Sequence, residues 1–324
     1  MSDEERGADP DTQRLSDQML GMIRDQLRLI GHVPSDFHRL CFETVSAVDM
    51  PPASEHVNAH DQDLATSVNA YYDQAFYSRD GMMGLLLEGT QYRNIGYWEA
   101  GVTSQHQASA LLQDKLLERV PAHQGRVLDV ACGLGASTQR LLQSYPAQNI
   151  WAINISDKQI ATTQANAPGV NAQVMNAVEL SFEDNFFDCV LCIEAAFHFE
   201  TRERFLQQAW RVLKPGGYLL MSDVLFSDAE RYRQYPTLPS PANHLPDDNA
   251  YAALLQACGF TNLRVDDDTD KIWPPHFRHV VNKIHEGMLS GELSLTQVTG
   301  VLWAYYHLHA VTRQCLMISA QKPV

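Results

Sequence analysis

Two glycines in a short turn separate an apolar run from a helix-forming stretch. The apolar run is Arg126–Val130, and the glycines are Gly133 and Gly135. Glycine lets the backbone turn tightly and approach a ligand, and a helix that begins at such a turn directs free N–H groups at it. The spacing predicts a nucleotide-type site. A nicotinamide-binding turn would need a third glycine in place of Thr138 and an acid in place of Asn154.

A second pair of residues has the chemistry of acids and bases. Glu194 and His198 follow the apolar run Asp188–Ile193, and α/β folds place their sites at the carboxyl ends of such strands. Imidazole accepts a proton near neutral pH, so His198 is the candidate general base. Glu194 is the second candidate, either as the base or as the residue that holds His198. A purely structural, hydrogen-bonded role for His198 is an equally open alternative.

Strands that alternate with helices must position these residues. Seven short apolar runs predict strands, at residues 126–130, 149–154, 171–176, 188–193, 218–223, 261–265 and 314–320. Amphipathic helices are predicted between them, at residues 137–144, after the N-cap Ser156, and at residues 202–213 and 249–258. This alternation indicates an α/β fold with a mainly parallel sheet. A mostly helical stretch, residues 271–313, precedes the last strand and leaves its direction open.

The first 120 residues are predicted to contain several helices. Apolar spacing predicts helices within residues 1–60, over Leu64–Phe76, and from about Ser104 to Val120. Four aromatic residues fall in or near these segments and could form a lid over a ligand, or could be ordinary helix-core residues: Tyr71, Tyr72, Tyr97 and Trp98.

Composition excludes several classes of function. The 324 residues are 45% apolar and 19% charged, which suffices for a sizeable core. The 24 Lys and Arg against 39 Asp and Glu give a net charge of −15, which disfavours nucleic acid as a partner. No apolar run approaches the roughly 18 residues of a membrane span, and the acidic start lacks a secretory apolar core. We therefore expect a cytoplasmic protein without a membrane partner, and homo-oligomer formation is left open.

Two motifs suggest a metal but do not predict one. Cys189 and Cys192 lie on a predicted strand, where residues three apart point to opposite faces and do not share a metal or a disulfide. Asp266–Asp270 has the spelling D-D-x-x-D, which holds magnesium when it lies on a helix. Here it follows a predicted strand, and we expect a solvated loop and no bound metal.

Four segments carry a family resemblance in their order along the chain: Asp129–Gly135, Ile153–Ile160, Asn176–Asp188 and Ala209–Gly217. Together with Asn94–Trp98, they resemble the class I S-adenosylmethionine-dependent methyltransferases. Within that superfamily the chain is similar to the small-molecule branch of natural-product and sarcosine-type enzymes. The resemblance implies a Rossmann-like, seven-stranded sheet with helices on both faces, and S-adenosyl-L-methionine as the cofactor. It also implies a small-molecule substrate.

The resemblance also implies roles for individual residues. Asp129 holds the methionine end of the cofactor, with Gly133 and Gly135 beneath it and backbone contacts from Ala131 and Cys132. Asn154, followed by Ile155, stands where the family usually has an acid at the ribose, although it could simply cap the next helix. The remaining expected cofactor contacts are Asn176 and Ala177 beside the adenine, and Tyr72 and Trp98 from the lid. Residues 1–100 are expected to form a helical extension or lid. Residues 101–324 then form the catalytic domain, with insertions at about 224–248 and 267–313.

The acceptor is less determined than the cofactor. O-methylation of a small, partly apolar metabolite is the leading hypothesis, and a base such as His198 would assist it. One alternative is C-methylation of an alkene such as a prenyl diphosphate, with Glu194 or His198 quenching a cation. A second alternative is a catalytically silent cofactor-binding subunit. His307 and His309 are further candidates for facing the acceptor, and their spacing directs at most one of them inward.

Overall fold

The computed structural model describes residues 64–77, 82–227, 241–293 and 311–324, with residues 297, 301, 302, 305, 308 and 309. The helices expected within residues 1–60, and His307, lie outside the described residues. The chain divides into two compact units, one of residues 57–276 with 311–324 and one of residues 1–56 with 277–310. Over the ranges described, none of the helices combines the length and the apolar character that crossing a membrane requires.

Seven strands in the larger unit form a single sheet. They are β1 (Val127–Val130), β2 (Ile150–Asn154), β3 (Asn171–Val174), β4 (Phe187–Ile193), β5 (Leu213–Phe226), β6 (Thr261–Asp267) and β7 (Thr312–Gln321). Their order across the sheet is β3-β2-β1-β4-β5-β7-β6. β1 to β5 pair in parallel, and β7 runs antiparallel to both β5 and β6. The predicted Rossmann-like α/β fold is confirmed, and the direction of the last strand is now fixed.

Helices connect these strands and flank the sheet. They are α1 (Leu64–Tyr77), α2 (Met82–Leu86), α3 (Gln105–Leu117), α4 (Ala136–Leu141), α5 (Asp157–Asn166), α6 (Arg202–Val212), α7 (Asp248–Ala257) and α8 (Thr269–Ser290). Side-chain oxygens cap the first turns of four of them, from Ser104, Ser156, Thr201 and Asp247. β1 and most of β4 are buried, because helices cover both faces of a parallel sheet.

Several boundaries differ from those expected from the sequence. β5 begins at Leu213, five residues before the expected start at residue 218. β5 continues to Phe226, so residues 224–226 belong to the sheet and not to the expected insertion, because β7 pairs with them. The acidic run is not a loop throughout. Asp267 ends β6, and it accepts hydrogen bonds from the backbone N–H and hydroxyl of Thr269 at 3.0 and 2.5 Å, where α8 begins. Asp266 instead bonds Arg119 and Arg264, both at 2.7 Å.

The smaller unit contains the second part of α8. Within it, the ring of His309 stacks on Phe277, with ring centroids 4.5 Å apart. Burial lowers the pKa of His309 below its ordinary value. The imidazole therefore favours its neutral form in this stack.

Candidate active site

One large cavity opens at the carboxyl ends of β1, β2 and β4, where the strand order changes direction. It encloses about 1340 Å³ of space, part of it open to solvent. α/β folds bind their ligands at this kind of place, outside the carboxyl ends of the strands. Eleven of the thirteen residues predicted for the site line it: Tyr72, Asp129, Ala131, Cys132, Gly133, Asn154, Ile155, Asn176, Ala177, Glu194 and His198.

A buried carboxylate shapes the turn after β1. Asp129 Oδ2 accepts hydrogen bonds from the hydroxyls of Ser137 at 2.7 Å and Thr138 at 2.6 Å. Both donors lie in the first turn of α4, so the carboxylate ties the strand to the helix that follows it. Burial raises the pKa of Asp129 to about 6, although the two hydrogen bonds act in the opposite direction. Thr138, where a dinucleotide-binding turn would have its third glycine, thus has a structural reason to be there.

The amide of Asn154 is held within its own loop at the end of β2. Its Oδ1 accepts from the backbone N–H of Ser156 at 3.0 Å, and its Nδ2 donates to Gln159 Oε1 at 3.1 Å. Ser156, and not Asn154, caps α5 with its hydroxyl. Asn154 therefore combines a local structural role with a place in the cavity lining.

Glu194 is buried in the cavity wall directly after β4. Its backbone is left-handed, with φ of 49°, and its Oε2 accepts from the backbone N–H of Ile95 at 2.8 Å. Its Oε1 has no hydrogen-bond partner among the residues that the structure describes. Burial raises the pKa of this carboxyl to about 8. At neutral pH Glu194 is mostly protonated, which makes it a hydrogen-bond donor.

The raised pKa of Glu194 predicts a pH-dependent stability. The folded protein keeps a proton that the unfolded chain releases between the ordinary value of 4.5 and about 8. Stability therefore falls as pH rises through this window, by up to about 1.4 kcal/mol per pH unit. Glu194→Gln mimics the protonated carboxyl and removes this dependence. Denaturant unfolding at pH 5.5 and 7.5 measures this. The free energy of unfolding of the variant, relative to that of the wild type, should be higher at pH 7.5 than at pH 5.5. A difference that is the same at both pH values would contradict the assignment.

His198 lies in a short 3-10 turn, Ala196–His198, four residues beyond Glu194. Its Nε2 is 2.6 Å from the hydroxyl of Tyr72, which reaches it from α1. The two rings meet edge to face, with centroids 5.1 Å apart. Burial raises the pKa of Tyr72 further above its ordinary range, so the phenol stays neutral. A neutral phenol and an imidazole at this distance can pass a proton between them.

A distant asparagine holds the turn that carries His198. Asn243 Nδ2 lies 3.0, 3.2 and 2.9 Å from the carbonyl oxygens of Ala196, Phe197 and Phe199. Its Oδ1 accepts the backbone N–H of Arg202 at 2.5 Å. The first turn of α6 and the turn before it are thus tied to one buried side chain.

Two of the predicted site residues lie outside the cavity lining, as do two other aromatic candidates. Trp98 is buried elsewhere and donates its Nε1–H to Ile95 O at 2.9 Å. Gly135, with φ of 84°, faces α5 and not the cavity. Tyr71 is exposed, and Tyr97 packs near the ammonium groups of Lys115 and Lys271. Among the four lid candidates, only Tyr72 faces the ligand space.

Some lining residues escaped the sequence analysis. Arg93 donates through Nη1 to the carbonyls of Thr90 at 2.6 Å and Tyr92 at 2.7 Å, and its guanidinium lies 4.8 Å from the Phe76 ring centroid. Burial lowers its pKa to about 10. Asn69 lies on the same helix as Tyr72, three residues earlier, so helical spacing was the signal that could have found it.

The sequence and the fold both have known relatives. A family model described as "Methyltransferase domain" matches residues 128–221. The erythromycin 3''-O-methyltransferase of Saccharopolyspora erythraea is 29% identical over 214 residues, or 60% of this chain and 70% of that protein. The O-methyltransferase cnsE of Penicillium expansum is 30% identical over 224 residues, or 64% of this chain and 77% of that protein. This chain belongs to the class I S-adenosylmethionine-dependent methyltransferases.

A solved structure shares the fold of the methyltransferase. The [4+2]-cyclase SpnF superposes with a TM-score of 0.62 at 24% identity, over 80% of this chain and 96% of that one. Because that relative is called a cyclase, the fold alone does not establish the reaction. The reaction has to be argued from the residues around the cavity.

The lining of the methyltransferase cavity fits its cofactor. Four lining residues each keep a buried polar atom without a hydrogen-bond partner in the described part of the chain: Asn69 Oδ1, Arg93 Nε, Asn94 Oδ1 and Glu194 Oε1. Each such atom costs about 1–3 kcal/mol when it stays unsatisfied. S-adenosylmethionine brings an ammonium, a carboxylate and two ribose hydroxyls, which can supply the missing partners.

The two glycines of the turn should respond differently to the same substitution. A Cβ at Gly133 meets nothing within 4 Å, whereas a Cβ at Gly135 would lie 2.7 Å from the Cα of Thr163. Gly135→Ala is therefore expected to cost about 2–4 kcal/mol of stability through overpacking and left-handed strain. Gly133→Ala should cost only about 1 kcal/mol but weaken cofactor binding about tenfold, because its methyl group enters the cavity.

Chemical unfolding and calorimetry with S-adenosylhomocysteine separate the two effects. Tight binding by Gly133→Ala would mean that the cofactor does not pass over this residue. Unchanged stability of Gly135→Ala would contradict the close approach of the turn to α5.

Proposed function

We propose that this methyltransferase transfers the methyl group of S-adenosylmethionine to a hydroxyl of a small, partly apolar metabolite in specialised metabolism. The observation that carries the proposal is the 2.6 Å contact between Tyr72 and His198 in the lining of the cavity at the ends of the central strands. Both curated relatives named above are O-methyltransferases, which supports oxygen as the acceptor atom.

The cofactor would be held by the residues around the ends of β1, β2 and β3. We assign the methionine end to Asp129, Ala131, Cys132 and Gly133, the ribose to Asn154 and Ile155, and the adenine to Asn176 and Ala177. Tyr72 closes the cavity from α1. When bound, the cofactor supplies an electrophilic methyl group on a sulfonium. The protein then has to align the acceptor with it and exclude water.

The chain's own chemistry lies in the proton of the acceptor. As the acceptor oxygen forms its bond to carbon, its proton passes to the Tyr72–His198 pair. The imidazole takes that proton, either directly or through the Tyr72 hydroxyl, which accepts it while passing its own proton to Nε2. The Asn243 clamp keeps the imidazole in reach of Tyr72, so the base is already placed when the acceptor arrives. Glu194, protonated at neutral pH, would donate a hydrogen bond into the cavity.

The direct test is incubation with isotope-labelled cofactor and extract from a producing cell, followed by mass spectrometry. A gain of one labelled methyl group on a metabolite, carried by oxygen, is expected. Binding of the cofactor without any methylated product would support the silent-subunit alternative. A carbon-methylated product that requires magnesium would support the prenyl-diphosphate alternative. One feature weighs against that alternative: a Glu194 that burial keeps protonated quenches a cation poorly.

We also propose that residues 1–100 act as the lid and residues 101–324 as the catalytic domain, with insertions at about 227–248 and 267–313. Deleting residues 1–60 is then expected to leave the affinity for S-adenosylhomocysteine within about threefold while turnover falls, because lid segments complete the acceptor side. Calorimetry and turnover on the same preparation check this. Full turnover in the truncated protein would show that these residues do not contribute to the acceptor side.

We also propose a cytoplasmic location, and the acidic charge argues against nucleic-acid binding. A homo-oligomer remains compatible with the sequence. Light scattering on the purified chain, with and without cofactor, determines its oligomeric state.

A further inference from the structure

A carboxylate from α1 contacts the loop after β2. Asp73 Oδ1 accepts a hydrogen bond from Ser156 Oγ at 2.7 Å and another from Gln159 Nε2 at 3.2 Å. Its side chain is only 12% exposed, and its Oδ2 is 3.6 Å from Lys158 Nζ. The strand end itself has an amide, Asn154, so the negative charge beside this part of the cavity comes from another element.

Hydrogen-bond chemistry fixes the orientation of each amide in this chain of contacts. An ionised carboxylate only accepts, so Gln159 must turn its NH₂ to Asp73 and its carbonyl to Asn154. Asn154 must then turn its NH₂ to Gln159 and its carbonyl to the N–H of Ser156. The bond directions follow from the two ends of this chain of contacts, because the Asp73 carboxylate only accepts and the backbone N–H of Ser156 only donates.

This direction leaves one defined donor at the cavity. The Asn154 NH₂ has two hydrogens and makes one contact with the residues that the structure describes, the 3.1 Å bond to Gln159. Both Asn154 and Gln159 line the cavity, whereas Asp73 does not. The second hydrogen of Asn154 is therefore available to an oxygen atom of a ligand.

We propose that Asp73 is a positioning residue for the cofactor, which acts through Gln159 to aim an N–H of Asn154 at a ribose hydroxyl oxygen. The inference rests on the proposed function, because it takes the ribose to lie at the end of β2. Asp73 touches no ligand itself. It sets the polarity of the contact, so that the protein donates to the ribose at a place where a carboxylate would only accept.

Exchanging the side chains of positions 73 and 154 should reverse the direction of the hydrogen bonds through Gln159 and so restore a complete set of bonds. In Asn154→Asp alone, the new carboxylate faces the carbonyl of Gln159, and turning Gln159 would bring that carbonyl against Asp73. In Asp73→Asn alone, the charge that fixes Gln159 is lost. In the double variant, the amide introduced at position 73 donates to the turned Gln159, whose NH₂ then donates to the carboxylate at position 154. The ribose hydroxyl, which can donate as well as accept, then donates to that carboxylate.

The test is calorimetry of S-adenosylhomocysteine binding to the full chain, for wild type, both single variants and the double variant. Each single change is expected to weaken binding about tenfold, and the double variant to return within about threefold of wild type. Methylthioadenosine keeps the ribose but lacks the amino acid. Its affinities for the variants, relative to wild type, should change by the same factors. Asp157→Asn is the matched control, since it removes an exposed acid from the first turn of α5 without touching the chain of contacts.

Several outcomes would overturn the proposal. Binding by Asp73→Asn within about twofold of wild type would do so, and so would additive losses in the double variant. Undocking of α1 is a separate effect, because Tyr77 still bonds Thr162 Oγ1 at 2.7 Å and Lys158 O at 3.1 Å. Unchanged melting temperatures of the apo variants report that the fold is kept. A wild type that binds the ligand but methylates nothing would refute the proposed function and leave this inference standing. A wild type that binds neither ligand would refute both.

Discussion

His198→Ala should lower turnover on a hydroxyl acceptor by about 10²–10⁴-fold while leaving the affinity for S-adenosylhomocysteine nearly unchanged. The imidazole contacts Tyr72 at 2.6 Å in the cavity lining, so its loss removes the proton acceptor and not the cofactor contacts. Tyr72→Phe removes the same hydrogen bond from the other side and should reduce the maximal rate in the same direction. The measurement is turnover against pH for the wild type and both variants.

A neighbouring tyrosine gives the control. Tyr71→Phe changes a hydroxyl one residue away on an exposed side chain, so turnover should stay at the wild-type level. A loss below about tenfold in His198→Ala, with the acid limb of the pH profile retained, would exclude His198 as the base. The role would then pass to Glu194, which can accept a proton only above its raised pKa of about 8, so turnover should rise through that pH. An acceptor that is already ionised would also lower the dependence on His198, and a nitrophenol substrate series of graded acidity reveals that case.

Asp223→Asn is expected to destabilise the fold by about 3–5 kcal/mol, because it leaves a buried guanidinium uncompensated. Arg202 Nε donates to Asp223 Oδ2 at 2.7 Å, with side chains only 2% and 0% exposed. The hydroxyl of Tyr251 donates to the same oxygen at 2.9 Å. Arginine does not release its proton in the interior, so the charge stays when its partner is neutralised. Urea unfolding followed by circular dichroism gives the value.

The effect should reach catalysis as well. Arg202 Nη1 donates to the carbonyl of Asn243, whose amide clamps the turn of His198. Turnover in the variant should therefore fall more than the affinity for S-adenosylhomocysteine. Arg204→Met, two residues further along α6, breaks only exposed ion pairs and should change neither quantity measurably. An Asp223→Asn variant as stable as wild type would mean that the buried pair makes no net contribution to the fold.

The sequence predicted the framework well because its signals are local. Apolar runs bounded by turn residues located the strands, and caps such as Ser156 and Thr201 marked helix starts. Glycine spacing identified the turn after β1, but it could not tell which glycine faces the ligand. That distinction depends on Thr163, which lies on α5 almost thirty positions further along the chain.

The parts of the site that were missed depend on distant contacts. Asn243 carries no motif, and its role appears only when α6 and the turn before it fold against it. Trp98 lies in the segment Asn94–Trp98 that carried the family resemblance. Its indole N–H nevertheless donates to the carbonyl of Ile95, and the side chain does not line the cavity. Arg93 is adjacent to that segment, but only packing against Phe76 brings its guanidinium into the lining.

Tyr72 and Asp73 are consecutive residues of α1, yet they contact loops that follow different strands of the sheet. A movement of α1 that changes one of these contacts therefore also changes the other. A substitution that tilts α1 to admit a bulkier acceptor also moves the Asp73 carboxylate that contacts the loop after β2. We expect lineages that change acceptors to do so on the walls away from this helix, where new side chains leave cofactor affinity intact. Directed evolution for new acceptors should likewise begin with residues on the cavity walls away from α1.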